Sequence, residues 1–177
     1  MKRQGTGALL AAGIALAISA ATALPAAAAT SGSETLSGTI VTSGVSGTRT
    51  VISSVIVAKG VFSGVGRVVE LPNLPTDPDT VSRDDLVFPA GTMHLVGMSG
   101  DITSFSFNPD NCRFRLTVQQ TGEITGGTGQ FATATGSSTG TVTAEGLGAR
   151  NPDGSCSFTQ PSLHEVDMIA ASGTLSF

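Results

Sequence analysis

The sequence contains no tryptophan and no tyrosine, and only 12% of its residues are charged. Sugar-binding sites usually stack sugar rings on exposed aromatic side chains, so this absence disfavours a lectin. Nine basic residues stand against 13 acidic ones, a formal net charge of −4, and they form no basic run. Because nucleic acids are held by clustered positive charge, we expect no nucleic-acid partner.

Cysteine and histidine are equally scarce, with two of each: Cys112, Cys156, His94 and His164. Four such separated residues supply too few ligands for a typical metal centre, and we predict neither a metal site nor a cofactor. In an exported chain the default for two cysteines is a disulfide, here Cys112–Cys156, and the alternative is two buried free thiols. The two cysteines are 44 residues apart, and closing a loop of this length stabilises the fold by about 4 kcal/mol in the chain-entropy model.

The N-terminus has the pattern of a secretory signal peptide. Lys2 and Arg3 precede an uncharged run rich in Ala, Leu and Ile, and small residues follow Pro25. We predict cleavage after Ala29, which makes residues 1–29 the signal peptide and residues 30–177 a single exported domain. The alternative, an uncleaved membrane anchor, is disfavoured because polar residues dilute the apolar run. No later segment is long enough to span a membrane as a helix.

Alternation of apolar and polar residues with a period of two dominates residues 30–177, and no helical stripe competes with it. Phe105 and Phe107 alternate with serines, and the chain from Ile169 to Phe177 alternates in the same way, so each pattern predicts a core face and a water face. We predict about eight strands, at 35–42, 49–58, 61–70, 91–98, 102–108, 113–120, 129–135 with 139–147, and 165–177. Many short strands joined by Gly-rich turns indicate an all-β fold, either a closed antiparallel barrel or a β-sandwich.

Two segments depart from this pattern. Residues 51–69 are apolar on both faces, as in a strand between two apolar layers or one that lines an apolar lumen. Residues 71–85 are rich in Pro and Asp and are predicted to form a long loop. The four carboxylates of this loop suggest either a calcium site or a solvated acidic loop, although their spacing does not match an EF-hand. They belong to Asp77, Asp79, Asp84 and Asp85.

No motif establishes a catalytic residue. Residues 136–140 fit the pattern G-x-S-x-G, but the chain continues as a strand where a nucleophile elbow needs a helix. The two histidines are candidates for acid–base chemistry only if they meet in space with Glu165 or Asp167. The competing interpretation is that each histidine is structural or exposed.

A Gly-rich turn carries the one family resemblance. Residues 126–136 read G-G-T-G-x-F-x-x-A-x-G, which resembles the signature of the allene oxide cyclase-like and dirigent-like β-barrels. The resemblance implies an eight-stranded antiparallel barrel with a hydrophobic cavity, and a tight turn whose Phe lies in the core. No catalytic residue of those families lies within the matched motif. The turn residues are Gly126, Gly127, Thr128, Gly129, Phe131 and Gly136.

Together these observations predict a secreted, non-enzymatic β-barrel that binds a hydrophobic small molecule or has an extracellular structural role. The alternative is a cyclase or isomerase acting on a lipid-derived or phenolic substrate. That alternative needs a cavity with a buried ionisable group drawn from a short set of residues: His94, Arg67, Arg113, Arg115 and Glu165. A third hypothesis, an interaction module, predicts an exposed apolar patch.

Overall fold

A computed structural model describes residues 30–177; the predicted signal peptide, residues 1–29, lies outside the described residues. Eight β-strands form a closed barrel in which each strand pairs with its neighbours in sequence and β1 pairs with β8. The predicted antiparallel eight-stranded barrel is therefore confirmed, and the β-sandwich alternative is wrong. The strands are β1 (Ser31–Ser43), β2 (Thr50–Gly60), β3 (Gly64–Leu71), β4 (Val81–Phe88), β5 (Gly91–Asn108), β6 (Arg113–Gly127), β7 (Thr135–Leu147) and β8 (His164–Ser176).

Every pairing is antiparallel, so the connections alternate between the two ends of the barrel. Short turns, the start of β1 and the end of β8 lie at one end, which we call the floor. The four longer or disulfide-linked connections lie at the other end, which we call the mouth: residues 44–49, 72–80, 109–112 and 148–163. Within residues 30–177 there is no helix long and apolar enough to cross a membrane.

The period-two alternation places one side of each strand inside the barrel. In β8, Leu175 is 1% exposed, and Ile169 and Ala171 pack against the same core, while their sequence neighbours Ala170 and Thr174 are exposed. Burying these side chains stabilises the fold by about 25 cal/mol per Å² of apolar surface removed from water. The buried core is Leu36, Ile40, Ile56, Ala58, Val68, Leu86, Phe88, Met93, Ile124, Phe131, Ala134 and Leu175.

Although the number of strands is right, their identity differs from the prediction in three places. Residues 91–98 and 102–108 form one continuous strand, β5, whose pairing with β6 shifts register around Ile102. Residues 81–88 form β4, so the predicted long loop is shorter and covers residues 72–80. Residues 129–135 are mostly a turn with a short 3-10 helix at Gly129–Phe131, and β7 begins at Thr135. Charged residues in the middle of β4 hide its alternation in the sequence.

The doubly apolar segment 51–69 lines the lumen with only one of its faces. Ile56 is buried at 2% exposure, whereas Val55 and Val65 are 49% and 60% exposed on the outer surface. An irregularity in the β1–β2 pairing at Val41/Thr42 also turns Val51 inward. The prediction of an apolar lumen wall is therefore right for one face, while the outer valines remain in contact with solvent.

Candidate functional site

The interior of the barrel contains a cavity of about 490 Å³, within the range of small-molecule sites. Apolar side chains from seven strands line its deeper part, and charged side chains line the part near the mouth. Every strand contributes residues to the lining of the cavity, and each strand is paired with both of its neighbours in the closed barrel. The deep lining consists of Leu36, Ile40, Ile56, Val68, Leu86, Leu95, Val142, Ile169 and Ala171.

Four phenylalanine rings close the floor. Phe131 is fully buried, and its ring lies 5.0 Å from Phe62 and 5.3 Å from Phe177 in edge-to-face geometry. Phe88 packs edge-to-face on Phe62 at 5.0 Å. Such aromatic pairs contribute about 0.5–1.5 kcal/mol each beyond their buried area. The cluster therefore seals this end of the barrel and leaves the mouth as the route into the cavity.

A buried carboxylate lies beside this floor. Glu34 is 4% exposed, and its Oε2 accepts a hydrogen bond from the backbone N–H of Phe62 at 2.9 Å. Its Oε1 is buried without a hydrogen-bond partner among the described residues. The one bond that Glu34 does make holds the β2–β3 turn, and with it the Phe62 ring, against β1.

At the mouth, Arg49 connects carboxylates from two strands. Its guanidinium is hydrogen-bonded to Glu70 of β3 and to Asp167 of β8, the latter at 3.0 Å, and lies 3.9 Å from Glu165. β2 and β3 pair through only three residue pairs, so the Arg49–Glu70 contact also bridges their splayed upper part. Burial lowers the pKa of Arg49, but the three carboxylates outweigh this effect and leave it above its ordinary value.

Two of the mouth carboxyl groups have strongly shifted pKa values. Burial, with a contribution from the charge of Glu70, raises the pKa of Asp84 to about 6. Burial, with repulsion from Glu165, raises the pKa of Asp167 to about 6 despite the opposing charge of Arg49. Glu70 and Asp84 are directly opposite each other across β3 and β4, an arrangement in which like charges repel. The mouth therefore carries more negative charge than Arg49 neutralises.

Above the mouth lies an apolar surface that we call the mouth wall. It is formed by Ile102, Phe105, Phe107 and Phe158. Phe105 lies opposite Leu116, Leu116 lies opposite Ala144, and Ala144 lies opposite Asp167 on successive strands. Because residues directly opposite each other share a face of the sheet, all four point to its inner face. The β5–β6 hairpin extends beyond the rim, however, and Phe105 remains 60% exposed. The prediction that Phe105 lies in a core is therefore wrong.

The disulfide fixes this wall to the neighbouring β7–β8 connection at the mouth. Cys112 at the tip of the β5–β6 hairpin is bonded to Cys156 in the β7–β8 connection, 44 residues further along the chain. The Phe158 ring, two residues after Cys156, then lies 5.0 Å from that of Phe107. Arg150 also donates a hydrogen bond to the Asp110 carbonyl oxygen at 2.6 Å. The bond thus places an exposed aromatic ring against the hairpin.

Of the five ionisable residues named for the enzyme alternative, only Glu165 faces the mouth, where Ser162 Oγ donates to it at 2.7 Å. His94 lies on the outer surface, with its Nδ1 2.6 Å from Asp85 Oδ1. Arg67 is exposed on the outer face of β3. Arg113 and Arg115 lie with His164 in a separate groove on the outer face of β6, β7 and β8. The two histidines therefore do not meet.

The four aspartates of the predicted acidic loop diverge. Asp77 pairs with Arg83 at 2.7 Å, and its hydrogen bonds lower its pKa. Asp79 is exposed in the loop, Asp84 lines the cavity and Asp85 faces outward toward His94. Among the residues described, no group of three or more His, Cys, Asp or Glu side chains is arranged to hold a metal ion.

The Gly-rich turn lies at the floor. Gly126 and Gly129 have φ values of +133° and +60°, which disfavour residues with a side chain. Thr128 makes no side-chain cap to the 3-10 helix, and its Oγ1 instead accepts a hydrogen bond from the N–H of Thr92 at 3.1 Å. The turn delivers Phe131 into the floor cluster, and Gly136 begins the inward face of β7.

Sequence reasoning overlooked Arg49, Glu70 and the lumen position of Asp84. The Asp-rich stretch predicts a loop for Asp84, and residue type alone does not distinguish it from its neighbour Asp85. The available signal is the alternation through Ser82, Asp84, Leu86 and Phe88, which puts a carboxylate in register with core residues. Comparison of the chain with protein-family models, curated proteins and solved structures gave no match.

Proposed function

We propose that this protein is a secreted, non-enzymatic barrel that binds a hydrophobic small molecule in its lumen. The apolar cavity of about 490 Å³ carries this proposal. Small-molecule sites are typically concave and mostly apolar, with a few polar groups that fix orientation, and this lumen has that composition. The disulfide accords with the oxidising environment that follows from export.

The lumen differs from a filled barrel core in a specific way. The floor rings are in contact with one another, whereas small side chains such as Ala171 and Ser138 face the middle of the barrel and leave the space free. In well-packed interiors, unfilled space of this size is costly because its lining loses dispersion contacts. A ligand that restores those contacts would therefore stabilise the folded protein by mass action.

The test is binding of Nile red, a neutral apolar dye, measured by fluorescence titration on the purified chain. Ala171→Leu and Val142→Phe each place extra carbon atoms in the cavity, and we expect at least tenfold weaker binding for each. Ala170→Leu adds the same atoms on the outer face of the same strand and serves as the matched control. Circular dichroism establishes that each variant retains its sheet content.

Unchanged affinity in both folded lumen variants would place the dye elsewhere and contradict the proposal. Two variants on different strands are used because overpacking costs about 1–3 kcal/mol and one of them could unfold the barrel. Native mass spectrometry of the secreted protein complements the titration, because a small molecule released on denaturation identifies the chemical class of the natural ligand.

The enzyme alternative, a cyclase or isomerase of a lipid-derived or phenolic substrate, retains one specific support. Glu165, Asp84 and Asp167 place carboxyl groups at the mouth of an apolar cavity, where acid–base chemistry has groups to use. A molecule recovered from the lumen provides the test, since incubation with the protein either returns it unchanged or converts it to an isomer.

A further inference from the structure

The charged side chains that line the cavity lie at its mouth, and their charge is unbalanced. Glu70, Asp84 and Asp167 line the mouth from three different strands, and Glu165 lies beside them. Two cations also line the cavity, Arg49 and Arg83. The nature of the ligand's polar end depends on how much of this negative charge those arginines already neutralise.

Arg83 is already paired with a carboxylate outside the lumen. Its Nε and Nη2 donate to Asp77 in the β3–β4 loop at 2.7 and 3.0 Å. Its neighbour in the chain, Asp84, points into the lumen in register with Glu70 and Leu95. The guanidinium of Arg83 therefore satisfies a loop carboxylate at the rim and contributes little to the charge balance inside.

Arg49 is shared among three carboxylates, two at hydrogen-bond distance and Glu165 at 3.9 Å. Among residues 30–177, Asp84 has no cation within hydrogen-bond distance, and the one side-chain donor to its Oδ2 is the Ser82 hydroxyl at 3.2 Å. An acidic head group on the ligand would add a further negative charge to the half-buried mouth, which is costly. An ammonium group supplies up to three N–H donors to the unneutralised carboxylates.

We propose that the ligand of this cavity is a cationic amphiphile, with its apolar part in the lumen and its amine against Asp84 at the mouth. This inference rests on the proposed binding function and specifies the ligand class. The apolar depth and the acidic mouth are separate observations, and both are needed: the first selects the tail and the second selects the head. Anionic lipids such as fatty acids are disfavoured by the same charges.

The experiment compares three probes with the same tail: n-dodecylamine, n-dodecanol and n-dodecanoate. Displacement of Nile red by each probe is measured at about pH 8, which is above the pKa of about 6 of Asp84. Each probe is used below the concentration at which it aggregates. We expect the amine to bind at least about tenfold more tightly than the carboxylate, with the alcohol between them. Equal affinities, or tighter binding of dodecanoate, overturn the inference while the binding function stands. Failure of all three probes and of Nile red overturns the binding function itself.

Two substitutions move the preference in opposite directions. Asp84→Asn removes the carboxylate that lacks a cation, and it should lower the affinity for dodecylamine about tenfold while leaving dodecanol unchanged. Arg49→Gln removes the competing cation and should raise the affinity for dodecylamine. Glu123→Gln, on the outer face of β6, is the matched control for loss of one negative charge. An unchanged amine preference in the folded Asp84→Asn protein contradicts the assignment.

Discussion

The two ends of the barrel solve the problem of closure in different ways. At the floor, four phenylalanine rings meet edge-to-face and Phe131 is fully buried. At the mouth, other aromatic side chains are also present, but Phe105 and Phe158 are 60% and 76% exposed. Aromatic residues in this chain therefore have two roles: they seal one end of the lumen and form a solvent-facing wall at the other.

The largest expected effect comes from breaking the floor. Phe131→Ala removes a fully buried ring that contacts Phe62, Phe88 and Phe177, and truncations of this kind cost about 3–5 kcal/mol. Phe158→Ala, the matched truncation at the mouth, should change the free energy of unfolding by less than about 1 kcal/mol because the ring is largely exposed. Urea denaturation measures both, and equal costs would contradict the distinction between floor and mouth.

The next largest effect concerns the disulfide at the mouth. Replacing both Cys112 and Cys156 by alanine opens a loop of 44 residues, for which the chain-entropy model gives a loss of about 4 kcal/mol, with 2–4 kcal/mol typical. Because the bond holds the hairpin tip to the β7–β8 connection, amide exchange should increase there before it increases at the floor. Uniform loss of protection throughout the barrel would instead indicate that the bond supports the whole fold.

A pH-dependent effect separates the charged mouth from the apolar floor. The pKa of Asp84 is about 6 in the folded protein against an ordinary 3.8, so the folded state holds a proton that the unfolded chain has released. The contribution of Asp84 to the free energy of unfolding should therefore decrease as pH rises from about 4 to about 6, by about 1–3 kcal/mol. Asp167, which faces Arg49 and Glu165, adds a change of the same sign.

Asp84→Asn tests this prediction. The substitution should raise the stability at about pH 7.5 by about 1–3 kcal/mol relative to the parent protein, and leave a smaller difference at about pH 4. Glu123→Gln on the outer face of β6 is the control. Urea denaturation at several pH values gives the result, and a variant less stable than the parent at about pH 7.5 would show that Asp84 stabilises the mouth in its charged form.

The smallest expected effect lies outside both ends. His94 and Asp85 form an exposed pair on the outer surface, and such pairs contribute about 0–1 kcal/mol. His94→Gln should therefore change the stability by less than about 1 kcal/mol and leave Nile red binding unaltered. A tenfold loss of Nile red affinity would show that His94 influences the lumen and would contradict this prediction.

The mouth and floor also differ in how far they follow from the sequence. The Gly-rich turn indicates a tight turn before a core Phe, because positive φ values and ring burial are local consequences of Gly126, Gly129 and Phe131. The mouth cluster brings together Arg49, Glu70 and Asp167 from three distant segments. The alternation along each strand specifies which residues face inward. Only the pairing register between strands places these three residues at the same height in the barrel.

Alternation along the chain establishes the strand periodicity, and with it the all-β class and the apolar lining, because it fixes which side of a strand avoids water. Barrel closure, the position of Asp84 inside the mouth and the exposure of Phe105 were decided by the tertiary structure. Closure depends on β1 meeting β8, and the exposure of Phe105 depends on how far the β5–β6 hairpin rises above the rim. Both are relations between segments distant in sequence, to which local patterns are insensitive.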